Sequence, residues 1–209
     1  ADYVNFRDTD TLITLGDYVD RGPDSRAVLD WLIAYGQTAT LIPLTGNHEL
    51  MMLAARDSTS HYEEWIVCGG DAALHSYARM LRPGNLEDVP DAHWNFIKRT
   101  CRSHYQNSTH FFVHANALPD IPIDDQPDYI SYWEHFRDPP AHESGKIMVC
   151  GHTPQTNGRP NNIGHAVCID TSAHPNGRLT CLNPTPGHSC QSHDSHQTRH
   201  AILAHTVIH

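Results

Sequence analysis

Four short apolar runs, each leading into a polar residue able to give a lone pair to a cation, limit what this 209-residue chain can fold into. Thr11-Leu12-Ile13-Thr14-Leu15 stops at Gly16-Asp17, and Leu41-Ile42-Pro43-Leu44 leads to Gly46-Asn47-His48-Glu49. Phe111-Phe112-Val113 runs into His114, and Ile147-Met148-Val149-Cys150 into Gly151-His152. Short apolar, β-branched runs bounded by turn formers read as buried strands. Ala166 to Ile169 before Asp170, and Leu179 to Leu182, add two more. Helical segments are expected between them: Ser25 to Tyr35 with Asp24 or Ser25 as cap, Glu49 to Arg56, Asp71 to Leu81, and Asp91 to Tyr105. The alternation predicts a layered α/β fold, in which ligands gather where strands end and short loops aim side chains into one crevice. Gly16, Gly46 and Gly151 permit tight turns there; His114 has no such neighbour.

If the strand ends converge, Asp17 offers a carboxylate oxygen, Asn47 an amide oxygen, and His114 and His152 imidazole nitrogens. This mixed hard and borderline donor set suits Mn²⁺, Fe or Zn²⁺, and the absence of thiolates disfavours a structural zinc site. Lys plus Arg total 14 against 24 Asp plus Glu, a net charge of −10, which argues against a broad nucleic-acid surface. A phosphate-bearing substrate then needs local positive charge. Arg21, four residues past Asp17, offers a planar fork for two phosphate oxygens.

Gly16-Asp17-Tyr18-Val19-Asp20-Arg21-Gly22 resembles the second signature of the phosphoprotein phosphatase family of metallophosphoesterases, and Gly46-Asn47-His48-Glu49 resembles the third. His114-Ala115-Asn116 and Gly151-His152-Thr153-Pro154 look like its two later metal-histidine motifs, in matching order. Smaller likenesses to bacterial serine/threonine phosphatases run through Gly69 to Tyr77, Ser144 to Pro154 and His165 to Thr171, so the resemblance covers roughly residues 10 to 182. It implies a calcineurin-like β-sandwich flanked by helices. Asp17 would bridge two metals, and Asn47, His114 and His152 would complete the second metal's shell. His48 would give a proton to the leaving alkoxide, Asp20 would orient His48, and Arg21 would bind the phosphoryl group. Glu49 is expected to be a residue of the first helical turn and not a ligand. Arg137 is a weak match to the second arginine of eukaryotic members.

The family's opening strand and Gly-Asp-x-His-Gly signature have no counterpart before Asp17. The chain is therefore expected to be truncated there, with the central place in one sheet left to another segment or to a second subunit, which motivates a dimer that completes the sheet. One metal is expected, Mn²⁺ foremost, with the other site weak or empty. The expected activity is hydrolysis of phosphoserine or phosphothreonine, and also phosphotyrosine, in proteins, or of a small phosphomonoester. Diadenosine polyphosphate hydrolysis, and a degenerate relative that only binds metal or phosphate, are the alternatives.

The remaining features are bland. Residues 1–182 are expected to form the catalytic domain and 183–209 a His-rich polar tail, six of the chain's 18 histidines lying there. Six cysteines without a C-x-x-C pair read as free thiols, and no apolar run is long enough for a membrane span, which predicts a cytoplasmic protein without membrane or nucleic-acid partners.

Overall fold

A computed structural model describes residues 10–79, 82–173, 177–184, 188–192 and 205–208. Its strands are β1 (Thr11–Thr14), β2 (Thr40–Pro43), β3 (His104–Gln106), β4 (His110–Val113), β5 (Ile147–Cys150), β6 (Asn161–Asn162), β7 (Ala166–Cys168), β8 (Leu179–Asn183), β9 (His188–Ser192) and β10 (His205–Ile208). Its α-helices are α1 (Ser25–Tyr35), α2 (Asn47–Ala54), α3 (Thr59–Trp65), α4 (Asp71–Ser76), α5 (Asp91–Asn95) and α6 (Asp128–Trp133). The strands form two five-stranded sheets, ordered β2-β1-β10-β8-β9 and β3-β4-β5-β7-β6.

Side-chain alternation along the strands explains the layering. Ile13 and Leu15 from the first sheet meet Phe112, Val149 and Val167 from the second in one buried cluster, so the two sheets stack face to face. The opposite side of β1 is also covered, with Leu12 packing beside Tyr35 of α1. Phe111, Val113, Met148 and Cys168 point away from the sandwich into a third cluster with Ile123 and Phe136. Helices α1 to α5 pack around Val28, Leu32, Met52, Trp65, Tyr77 and Trp94. Both faces of the central strands are buried, which is why those strands read as unbroken apolar runs.

Three expectations change. The helix foreseen from Asp91 to Tyr105 is α5 followed by one wide turn over Phe96–Thr100. It stops at Cys101 because Arg102 exchanges hydrogen bonds with Pro43 and Thr45, and β3 pairs antiparallel with β4. Sheet pairing there outweighs local helical preference. The helix from Asp71 ends at Ser76, where the chain turns toward the Arg79–Arg82 bridge and both arginines reach the Asp88 carboxylate; its foreseen end, Leu81, lies outside the described residues. Finally, the His-rich stretch supplies β9 and β10. Strand β10 pairs antiparallel with β1 and parallel with β8, so of the two fillings expected for the central place it is another segment, from the stretch expected to be a tail, that supplies it. Among the described residues no helix is long and apolar enough to cross a membrane, and Cys68, Cys101, Cys150, Cys168 and Cys181 are free thiols.

Candidate active site

Strands β1, β4 and β5 end side by side with the first turn of α2, and this brings four of the foreseen residues together. Ligand atoms of Asp17, His114 and His152 all lie within 4.8 Å of one another. The Asn47 Oδ1 is 3.0 Å from His114 Nε2 and 3.1 Å from His152 Nδ1. His114 donates its Nδ1 proton to the Leu15 carbonyl at 2.6 Å. In the neutral ring Nε2 is then a lone pair, and it faces Asn47 Oδ1 and, at 3.5 Å, Asp17 Oδ1. Acceptors aimed at one another call for a cation between them, and a backbone carbonyl orienting a ligating imidazole is the usual support of such a site. Burial lowers the pKa of both histidines, that of His152 to about 3 with help from His114 and His135, so protons do not serve as the cation near neutral pH. Burial pushes Asp17 up to about 6, a cost that a bound cation would offset. The donor set fits a divalent metal.

The loops that aim these groups are strained. Asp17, Asp20, Arg21 and His152 all have φ between 57° and 76°, a conformation costing non-glycine residues on the order of 1–3 kcal/mol each. Glu49 holds two of the loops. Its buried carboxylate accepts the backbone N–H of Asp17 at 2.8 Å, Tyr18 at 2.7 Å, Val19 at 3.3 Å and Gly46 at 2.8 Å. Glu49 is thus the first-turn residue that was expected, reaching back to the Gly46 cap, and it also staples the Asp17 loop to α2. Gly16, at φ 96°, lets the loops touch: a Cβ there would lie 2.5 Å from the Gly46 nitrogen.

Beside the donors lies a second group. His48 Nδ1 is 2.6 Å from Asp20 Oδ2, and Trp65 Nε1 donates to the same carboxylate at 2.9 Å. All three are buried, and with Nδ1 turned to Asp20, Nε2 is the ring nitrogen left for proton transfer. Burial raises Asp20 to about 8, opposed by Trp65 and Arg21, and burial lowers His48. The pair therefore favours its uncharged form and keeps the proton between its members. Arg21 is exposed, and its backbone N–H binds the Gly69 carbonyl at 3.0 Å. The Gly69-Gly70 pair, which entered only as a resemblance, has a steric reason: a Cβ on Gly69 would strike Arg21, and one on Gly70 would strike the Trp65 ring.

Asp17, Asn47, His114 and His152, with His48, Asp20 and the Arg21 backbone beside them, thus lie in this region. Trp65 was missed because nothing local links it to Asp20, 45 positions earlier. Asp170 was also missed as a site residue, although its strand follows the same pattern as the other four. It lines a cavity of about 40 Å³ with Asp17, His114, His152 and Arg178, and burial raises its pKa. Arg137 is exposed and does not line that cavity.

Comparison with known proteins agrees with this geometry. The calcineurin-like phosphoesterase (Metallophos) family matches residues 2–182. A symmetrical bis(5'-nucleosyl)-tetraphosphatase of Acidovorax is 52% identical over 50 residues, 24% of this chain and 17% of the relative. Serine/threonine-protein phosphatase 1 of Salmonella typhimurium is 45% identical over 62 residues, 30% of this chain and 26% of the relative. A symmetrical bis(5'-nucleosyl)-tetraphosphatase of Delftia acidovorans is 32% identical over 112 residues, 53% of this chain and 35% of the relative. The matched segments thus span about a third or less of these relatives' own lengths. A crystal structure described, provisionally, as a diadenosine tetraphosphatase superposes with a TM-score of 0.59 at 14% identity, covering 88% of this chain and 93% of that one, a likeness of fold. The strand-end donors, the stacked sheets and the match over residues 2–182 together place the chain in the calcineurin-like phosphoesterase family.

Proposed function

We propose that this chain is a metal-dependent phosphomonoesterase acting on phosphoserine and phosphothreonine in proteins, with phosphotyrosine as a further substrate. The observation that carries the reading is the convergence of Asp17, Asn47, His114 and His152 beside the buried His48–Asp20 pair. Bound there, a divalent cation, Mn²⁺ foremost, supplies an activated water and polarises the phosphoryl group. Arg21 holds phosphoryl oxygens through its guanidinium fork. His48 gives a proton from Nε2 to the departing alkoxide, while its Nδ1–H stays on Asp20, which Trp65 keeps in register. One cation is expected to suffice, with a second site weak or empty.

The test is release of inorganic phosphate from p-nitrophenyl phosphate and then from phosphopeptides in Mn²⁺, beside an Asp17→Asn control. Turnover by the chain and none by the folded control supports the reading; silence from both overturns it in favour of a metal- or phosphate-binding protein without turnover. Symmetrical dinucleoside tetraphosphate hydrolysis is a second reading, favoured by the Acidovorax and Delftia relatives. It differs in product, releasing nucleotides and no inorganic phosphate.

A further inference from the structure

Beside the site lies a cleft of about 880 Å³, far larger than the cavity behind Asp17. Leu50, Met51 and Ala54 of α2 form one wall. Val67 and Cys68 form a second, and Trp133 of α6 a third. The apolar groups are not hidden: Val67 is 88% exposed and Trp133 45%, with Tyr129 at 61% one turn before it. Exposed apolar side chains gathered around one concavity mark a place where something docks. The charge around them has one sign. Glu63, Glu64 and Asp128 line the cleft, all three are exposed, and its lining includes no lysine or arginine.

The elements that wall the cleft also carry the reaction. Helix α2 begins with Asn47 and His48 and reaches the cleft at Leu50. The turn bearing Val67 and Cys68 continues to Gly69, whose carbonyl holds Arg21. Trp133 closes α6, and its backbone lies near enough to the His152 ring to oppose the lowering of that ring's pKa. A substrate whose phosphate rests between Arg21 and the metal donors therefore has this cleft alongside it.

We infer that the cleft selects phosphopeptides carrying an apolar side chain and lysine or arginine close to the phosphorylated residue. This rests on the phosphatase reading above and names its substrate class. The apolar side chain packs on Met51, Val67 and Trp133, and the basic groups meet Glu63, Glu64 and Asp128. A dinucleoside polyphosphate has the wrong charge for this rim, since any of its further phosphates laid in the cleft would face carboxylates with no cationic side chain among the lining residues.

The experiment measures kcat/KM in Mn²⁺ for two phosphoserine peptides that share a leucine and differ only in flanking arginines or glutamates, beside p-nitrophenyl phosphate and diadenosine tetraphosphate. The chain is compared with its Glu63→Gln/Glu64→Gln/Asp128→Asn variant. Exposed ion pairs are worth up to about 1 kcal/mol each, so the wild-type chain is expected to prefer the basic peptide about tenfold or more. The variant should lose that preference while keeping its rate on p-nitrophenyl phosphate, and salt should erode the preference in the wild type. Equal rates on the two peptides, a preference that survives in the variant, or faster turnover of the dinucleotide than of the basic peptide each overturn the inference. If no substrate is turned over, the phosphatase reading fails by itself. Fluorescence anisotropy of the labelled basic and acidic peptides then decides the cleft separately, equal binding counting against it.

Discussion

The two halves of the candidate site are organised in different ways. On the donor half, Asp17, His114 and His152 stand where β1, β4 and β5 end, and Asn47 at the start of α2, so four stretches of chain far apart in sequence meet in the structure. On the proton-transfer half, His48, Asp20 and Trp65 form a linear chain of hydrogen bonds in which each member positions only the next. The contrast teaches that the donor half depends on mutual convergence, so one lost member disables it, whereas the other half should fail by degrees along its length. Glu49 joins the halves, since one carboxylate holds the backbone of Asp17 and of Tyr18 and Val19, which lead on to Asp20.

The largest effect is expected on the donor half. Asp17→Asn should reduce phosphate release by about a thousandfold, the upper end of what loss of one transition-state-stabilising contact costs. Calorimetric titration with Mn²⁺ should show binding weakened in parallel, while circular dichroism stays unchanged. Retained Mn²⁺ binding with retained turnover would remove Asp17 from the site.

Next comes the link. Glu49→Gln leaves the shape of the side chain but turns an NH₂ toward backbone N–H groups that have no other partner in these contacts. Leaving buried donors unsatisfied costs about 1–3 kcal/mol each, so a loss of about 3 kcal/mol is expected, or roughly 6–12 °C in Tm for a domain of this size. Calorimetric melting checks it. An unchanged Tm would mean that the strained loops are held by something other than this staple.

The same contrast explains what could be read in advance. The donor half was legible because each donor follows an apolar run or a tight turn, and burial on both faces writes those runs plainly, as at Thr11 to Leu15 and Ile147 to Cys150. Asp20 and His48 were placed by resemblance; neither periodicity nor spacing predicts a 2.6 Å contact between them. Trp65 was invisible, since its role depends on Gly70 leaving room for its ring and on α3 packing against α2. Strands β9 and β10 were unreadable for a related reason: a polar, histidine-rich stretch carries no alternation, and it is pairing that makes it strand, β9 along the outer side of β8 and β10 in the place between β1 and β8. In the fold, apolar strands announced themselves, while segments defined by pairing, such as β3 and β10, did not.

Within the proton-transfer half, His48→Ala should depend on the leaving group. A phosphopeptide leaves as a poor alkoxide and needs the proton, so about a hundredfold loss is expected, the lower end of general acid catalysis. An activated p-nitrophenyl ester leaves as a stable phenolate and should lose far less. Equal losses on the two substrates would move His48 from proton donor to a merely structural place.

The smallest effect is expected one step further out. Trp65→Phe keeps an aromatic body over Gly70 but removes the indole N–H that reaches both oxygens of Asp20. Asp20 would keep His48 and lose its outer anchor, so the His48 edge should wander without being lost. A hydrogen bond to a carboxylate contributes about 1.5–3 kcal/mol, only part of which reaches the transition state through two intervening groups, and a decline of about tenfold on the phosphopeptide is expected. The loss should sit in kcat with KM little changed, because Trp65 touches the positioning chain and not the phosphate. A Trp65→Phe enzyme that lost activity equally on both leaving groups, or lost it in KM, would show that the ring supports the fold around Arg21 and Gly69, and that the chain of hydrogen bonds ends at Asp20.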